Sequence, residues 1–368
     1  MKVLFICGAL EKGKDGVGDY TRRLAGELIR QGHHATIIAY NDRHIVSEIN
    51  SEQEDEGTTI SVLRLPSILK TREKVRLARS YVRHFQPDWI SLQFVIYSFH
   101  PKGLPFFLAG QLKQIGEGYR WHIMFHELWL GIDQEASLKH KILGKIQKKI
   151  LEQLISHLSP KRCHSHADIY VSLLNNIVPR LSKKLPLFSN ISKYRGDQCL
   201  EIKPGFVNLI MFGSIQPNSS VAEFILDLKK YELQHNLKFQ VIFIGKNGVY
   251  ISDWIKELIK CDILYKQLGE CKDYQISSVL QKCHWGITTT PLYQIEKSGS
   301  VATLLDHQLP IYVVARKWTP KYMLSRQQPN FIRQFIPGKL NLEFKERNTI
   351  ASNSLSQVGS SFLADLYE

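Results

Sequence analysis

Short apolar runs separated by amphipathic stretches constrain this chain more than any other feature. Runs at residues 3–7, 35–40, 60–65, 89–93 and 121–125 are too short for helices and mostly apolar. Such runs are strands buried on both faces, as in parallel sheets. Between them, residues 20–31, 72–85, 105–115 and 137–158 carry apolar side chains at helical spacing. Strands alternating with helices predict α/β layers built on parallel sheets.

The alternation restarts near residue 207. Strands are expected at 207–212, 239–244, 285–289 and 311–314, and helices at 221–235, 252–260, 274–282 and 300–306. Between the halves, residues 183–205 hold Pro186, Gly196, Pro204 and Gly205 among polar residues and read as a linker. The expected fold is therefore α/β, with two Rossmann-like domains facing a cleft: residues 1–190, residues 203–350, and a terminal helix within 351–368 packing back on the first domain. A chain of 368 residues suffices for two such cores. The segment 47–57, SEINSEQEDEG, reads as a solvated acidic loop.

Composition narrows the setting. With 43% hydrophobic and 22% charged residues and no apolar run approaching the roughly 20 residues of a spanning helix, the sequence reads as cytoplasmic and globular. The six cysteines are scattered without a C-x-x-C pair, which suggests neither a zinc site nor a disulfide framework. A net charge of +14 suits an anionic partner. No basic–aromatic pattern points to nucleic acid, and no Asp-x-Asp or P-loop points to metal-dependent phosphate chemistry.

Ligands of open α/β sheets lie beyond the carboxyl ends of the strands, so the loops there hold the candidates. The first is 8–23, GALEKGKDGVGDYTRR, a glycine-bearing loop between the first strand and the first helix. Gly16, Val17 and Gly18 offer backbone N–H groups and a helix N-terminus to a phosphate or sugar; otherwise the loop is only a turn. A dinucleotide fingerprint fits less well. Thr21 stands where a third glycine belongs, although Asp42 near the end of the second strand could hold a ribose. His126 and Glu127 follow the strand WHIMF, where a histidine can bond a sugar hydroxyl or carry a proton near neutral pH. Its alternative is a histidine bonded within its own loop.

The helix at 137–158 has an i, i+4 stripe of Leu138, Ile142, Ile146, Ile150, Leu154 and Leu158. Lys139, Lys141, Lys145, Lys148 and Lys149 flank it. The stripe fits burial against the domain's own core. The lysines fit an anionic membrane surface, at about 1 kcal/mol per basic residue.

In the second half, Gly213 and Ser214 follow one strand and Lys246 another. Glu296, Lys297, Ser298, Gly299 and Ser300 open an apolar helix. Ser298 fits an N-cap, and the amides of 298–300 with Lys297 fit a diphosphate.

These segments together resemble bacterial glycosyltransferases of family 4. The opening GALEKGKDGVGDYTRRLAGELIRQGHHATIIAY carries the glycine pair, the helix and the Gly32-His33 before the second strand. MFHELW resembles the family's strand-end histidine segment, LPLFSNI its interdomain crossing, and KSGSVATLLDHQLPIYVV its donor-binding helix and following strand. The resemblance reaches to about residue 314. It implies the GT-B fold and retaining transfer of a sugar from a nucleotide-diphosphate donor, with no metal and no cofactor beyond that co-substrate. His126 would border the transferred sugar. The donor would lie on the second domain and the acceptor, a glycan or lipid-linked glycan, on the first, with the 16–18 turn closing over the diphosphate. The setting it implies is polysaccharide or glycoconjugate synthesis at the cytoplasmic face of a membrane.

The chain departs from that pattern in the donor half. Where the family has a second glutamate eight residues after the first, Leu304 follows Glu296. The basic pair after the first strand of the second domain is absent from Gly213-Ser214-Ile215-Gln216, and Gln308 replaces a glycine. Lys246 and Lys297 are candidates to replace the lost charge. The alternative is a catalytically silent GT-B protein that binds a nucleotide sugar, a glycan or a partner enzyme.

Overall fold

The apolar runs pair side by side in two sheets. The computed structural model describes residues 1–196, 202–321, 329–343 and 350–368. The chain divides into two compact units, Met1–Pro186 with Leu355–Glu368, and Leu187–Ser354.

The first unit runs β1 (Lys2–Cys7), α1 (Gly16–Arg30), β2 (His34–Asp42), β3 (Ile49–Asp55), β4 (Thr58–Pro66), α2 (Thr71–Phe85), β5 (Trp89–Phe94), α3 (Ile96–Phe99), α4 (Leu108–Ile115), β6 (Arg120–Phe125), α5 (Leu138–Leu158), β7 (Arg162–Ser165), α6 (Asp168–Asn175) and β8 (Ser182–Lys184). Its eight strands lie in the order β3-β4-β2-β1-β5-β6-β7-β8, all parallel except β3 against β4. The central strands β1 and β5 are buried almost from end to end, as unbroken apolar runs in a parallel sheet require.

The acidic segment 47–57 is not a loop. It contains β3, an edge strand paired antiparallel with β4 through the turn Glu56-Gly57, both at positive φ. Its polar side chains suit an exposed edge, where charge discourages pairing with another chain. Asp55 and Glu56 are held by arginines of α1, Arg30 at 3.2 Å and Arg23 at 3.1 Å.

The last helix, α11 (Leu355–Tyr367), belongs to this first unit. Phe362 is fully buried and stacks on Phe5 of β1 at 5.9 Å, and Gln31, just after α1, donates to the Ser356 carbonyl.

The second unit runs β9 (Val207–Phe212), α7 (Val221–His235), β10 (Phe239–Ile244), α8 (Ile251–Lys260), β11 (Leu264–Gly269), α9 (Asp273–Gln281), β12 (Trp285–Thr288), α10 (Gly299–Asp306), β13 (Ile311–Val313) and β14 (Ile332–Gln334). A 3-10 turn, Leu292–Lys297, precedes α10. The parallel order is β11-β10-β9-β12-β13-β14. One face packs Phe224, Phe243, Trp254 and Tyr312; the other packs Ile242, Ile244, Leu280 and Leu304.

Candidate functional site

In the first unit, α1 begins at Gly16, four residues earlier than its apolar spacing predicts. Asp15 is the reason: its side chain caps the helix, accepting from the amides of Val17 (3.0 Å) and Gly18 (2.8 Å). This corrects one expectation for the 16–18 turn, because those two N–H groups already serve a carboxylate. Burial raises the pKa of that carboxyl, while its two backbone hydrogen bonds lower it. The two glycines also differ. A Cβ on Gly18 would lie 2.5 Å from the Ala9 carbonyl oxygen, so Gly18 permits the helix to sit against the strand-end loop. A Cβ on Gly16 would meet nothing within 4 Å. Gly16 alone leaves the space that a ligand needs.

Asp42 is consumed as well. It is fully buried, takes Arg64 Nε at 2.7 Å, and accepts from the amides of Leu10 and His44. A carboxylate fully buried and paired with Arg64 is not presented to a ribose, which removes the main support for a dinucleotide.

The sheet register places His126. Phe125 pairs with Phe94 on one side and with Ser165 on the other, so His126 and His166 emerge together at the strand ends. The His126 amide donates to the Phe94 carbonyl at 3.1 Å. The residue is 8% exposed, with ring Nε2 3.0 Å from Gln93 Oε1 and Nδ1 3.1 Å from His166 Nε2. Tyr20 of α1 sets its ring edge-on against both imidazoles, at 5.0 and 5.2 Å between centroids. Burial drives the His126 pKa well below the ordinary histidine value, and the neighbouring His166 lowers it further. The expectation of a proton carrier near neutral pH is therefore corrected. His126 is a neutral imidazole whose two ring nitrogens face Gln93 and His166 inside the domain. Glu127 follows it, half-buried. His166 was missed by sequence reasoning; the alternation His164-Ser165-His166, parallel to a strand ending in His126, was the signal.

In the second unit, β9 and β10 each end in a glycine at positive φ, Gly213 (+83°) and Gly245 (+85°). Asn247 ties the two turns: its Nδ2 donates to the Gly213 carbonyl at 2.8 Å, and its own carbonyl accepts from the Ile215 amide at 3.1 Å. Gln216 donates its amide to Thr289 Oγ1 at 2.7 Å, joining the turn to the end of β12. A Cβ on Gly213 would collide with Ser300 Oγ. Ser298 caps α10, accepting from the Val301 amide at 3.3 Å. The first helical bond is made by Ala302 to Ser298, which leaves the Gly299 and Ser300 amides in the opening turn. Gly213, Ser300 and the N-terminus of α10 thus meet at the strand ends, a geometry that suits an anion. Ser214 and Lys246 are exposed on the same turns, and Glu296 and Lys297 are half-buried just before the cap. Leu304 is fully buried, against Gly286 of β12.

The stripe on α5 splits. Ile150, Leu154 and Leu158 are buried, but Leu138, Ile142 and Ile146 are 73, 54 and 38% exposed. Gly144 lies against the Leu130 backbone, and Gln147 donates to the Gly103 carbonyl at 3.3 Å, ahead of a turn with exposed Phe106 and Phe107. The expectation of a wholly buried stripe is corrected: its N-terminal half faces outward with Lys139, Lys145 and Lys149, while Lys141 and Lys148 are half-buried. Among the described residues no helix is long and apolar enough to cross a membrane.

No protein-family model matches the chain, and no curated protein matches its sequence. Solved structures do match. The Anabaena protein Alr3699/HepE in complex with UDP is 14% identical, with 100% of this chain and 91% of that one covered and a TM-score of 0.56. WaaG, a glycosyltransferase involved in lipopolysaccharide biosynthesis, is 11% identical over 100% of this chain and 91% of its own, with a TM-score of 0.55. A UDP-forming α,α-trehalose-phosphate synthase from Burkholderia vietnamiensis is 11% identical, covering 85% and 83%, with a TM-score of 0.53. The fold is that of GT-B glycosyltransferases. At such identities the likeness concerns the arrangement of strands and helices alone, so the chemistry has to be argued from this chain's own residues.

Proposed function

We propose that this protein is a retaining glycosyltransferase. It moves a hexose-type sugar from a nucleotide-diphosphate donor to a glycan or lipid-linked acceptor in polysaccharide or glycoconjugate synthesis. The observation that carries the reading is the turn in the second unit where Gly213 gives way to Ser300 beside the N-terminus of α10. A helix end contributes roughly 0.3–1 kcal/mol to an anion, up to about 2 when partly buried. Backbone donors aimed at developing charge are worth about 3 kcal/mol each in a transition state. Together with Lys246 and Lys297 these groups would hold a leaving diphosphate without a metal or other cofactor. The acceptor would lie on the first unit, near Gly16 and His126. UDP in the HepE structure supports a nucleotide-sugar partner.

The outward half of α5 supports a peripheral contact with an anionic membrane on the cytoplasmic side. Leu138, Ile142, Ile146, Phe106 and Phe107 supply exposed apolar surface, and the lysines of the same helix supply charge.

One observation favours the second reading, a GT-B protein that binds its ligand without turnover. Leu304 lies in the core at the position where the family has a ribose-binding glutamate. A thermal-shift screen against nucleoside diphosphates and their sugars, followed by donor hydrolysis or transfer, separates the two. Ligand at 100 times its dissociation constant adds about 2.7 kcal/mol. Turnover that is lost in His126→Ala supports the enzyme. Binding without turnover for every donor supports the silent protein, and no binding at all overturns both.

A further inference from the structure

The His126 ring belongs to a hydrogen-bonded chain that crosses the first unit from the Leu185 carbonyl to the last helix. His166 Nδ1 lies 2.9 Å from the Leu185 carbonyl, and His166 Nε2 meets His126 Nδ1 at 3.1 Å. His126 Nε2 meets the Gln93 amide at 3.0 Å, which meets Ser91 Oγ at 2.8 Å. Ser91 Oγ meets His122 Nδ1 at 2.8 Å, and His122 Nε2 meets His164 Nδ1 at 2.9 Å. His164 Nε2 meets Asp365 Oδ2 at 2.9 Å. All six side chains between Leu185 and Asp365 are buried. Tyr20 covers one end; Phe362 packs on His122 and His164 at the other, at 5.0 and 6.3 Å.

Both ends of this chain only accept protons. A carbonyl and a carboxylate close a run of seven contacts. Four neutral imidazoles, one hydroxyl and one amide supply six protons to it. One contact must therefore go without, and the position of that gap decides which nitrogen of His126 carries its proton. Asp365 demands Nε2–H on His164. Then His122 donates from Nε2 to His164, Ser91 donates to His122, Gln93 donates its NH2 to Ser91, and Gln93 Oε1 accepts Nε2–H from His126. That is the orientation Gln93 has. From the other end, His166 donates Nδ1–H to Leu185, so its Nε2 bears a lone pair. The gap falls between His126 Nδ1 and His166 Nε2, the longest of the seven contacts.

We infer that Asp365 is a positioning residue for His126, holding its proton on Nε2 through His164, His122, Ser91 and Gln93. The inference rests on the reading of His126 as a site residue only for its consequence in transfer; the proton's place is read without any donor. The charged groups around the Asp365 end are Lys183, at 2.6 Å from Oδ1, Arg162, which donates to the Asp365 carbonyl, and Glu368, which pairs with both. Among the described residues these belong to β7, β8 and the residue that follows α11, and Tyr20 of α1 faces the His126 end.

The test is the tautomer of His126, read by NMR of the full chain with labelled histidine. In the wild type Nε2 carries the proton. In Asp365→Asn, Lys183 keeps the carboxamide oxygen, the NH2 turns to His164 Nε2, and every link from there to His126 reverses. All seven contacts are then served and His126 switches to Nδ1–H. Ser91→Ala cuts the chain but leaves Asp365 and the helix in place, and the same switch is expected, driven by His166. If Asp365 mattered only for docking the helix, Ser91→Ala would leave the tautomer alone; no switch there overturns the inference. So does Nδ1–H on His126 in the wild type, which decides the matter even if Asp365→Asn fails to fold.

Discussion

Ser300 stands where any side chain on Gly213 would have to go. The two residues come from different strand–helix units of the second sheet, and their approach brings the start of α10 onto the turn after β9. Gly213 also has φ +83°, a conformation that costs a side chain of order 1–3 kcal/mol. Gly213→Ala should therefore lower stability by at least about 1 kcal/mol, displace the Ser300 hydroxyl and weaken nucleoside diphosphate binding. Adding Ser300→Gly should restore binding but not stability, since it removes the collision and leaves the backbone strain. Calorimetric titration and a melting curve on both proteins check this. Equal binding by wild type and Gly213→Ala would place the diphosphate elsewhere.

The glycines of the first loop should respond oppositely. Gly18→Ala drives a methyl group against the Ala9 carbonyl and should destabilise by about 1–3 kcal/mol, as overpacking does. Gly16→Ala enters open space in the first turn of α1. It should leave stability unchanged or raise it by about 0.4–1 kcal/mol. If Gly16 faces the substrate, the same substitution raises KM. Urea midpoints and steady-state kinetics on the pair separate packing from ligand approach.

Much of the fold was legible because buried parallel strands are written as unbroken apolar runs, as in Leu4-Phe5-Ile6 and Val241-Ile242-Phe243. What was not legible had polar or short strands. β3 looked like a loop because its exposed edge is Ser, Glu and Gln. β7 reads Arg162-Cys163-His164-Ser165, where the polar side chains are buried because each has a partner on a neighbouring strand or helix. In the site, Gly213, Ser298 and Ser300 could be found from a turn and a cap. Asp15 taking the amides of Val17 and Gly18, and His166 closing on His126, depended on strand register and loop geometry. Spacing along one chain does not carry that information.

The outward half of α5 predicts binding to anionic vesicles at low salt and none to neutral ones. Exchanging Lys139, Lys145 and Lys149 for Gln removes about 3 kcal/mol, on the order of a hundredfold in affinity, at about 1 kcal/mol per basic residue. The three residues are exposed, so the melting temperature should not move. Ile142→Ser with Phe107→Ser should weaken binding in a way that persists at high salt, where the lysine contribution is screened. Cosedimentation at two ionic strengths measures both. A wild-type protein that ignores anionic vesicles at low salt would assign this face to another use.

The buried histidines give the first unit a pH dependence that the second should share only weakly. Burial pushes His166 down to about 4, moves His122 and His126 well below the usual value, and lowers His164 against the opposing pull of Asp365. In the unfolded chain each titrates near 6.5. Between those values the unfolded state binds more protons, so stability is complete above about pH 6.5 and falls as pH drops. His166 alone contributes about 1.4 kcal/mol per unit in this window, about 2 kcal/mol by pH 5. Asp365, held down to about 2 by His164 and Lys183 against its burial, acts lower: its contribution survives to about pH 4 and disappears below. In the second unit His307 is also lowered by burial, but it has no comparable row of partners. Hydrogen exchange at pH 7.5 and pH 5, corrected for intrinsic rates, should therefore show the amides of β5, β6 and β7 losing protection well before those of β9 and β10. Parallel losses in the two sheets would mean that the histidine row is not held neutral.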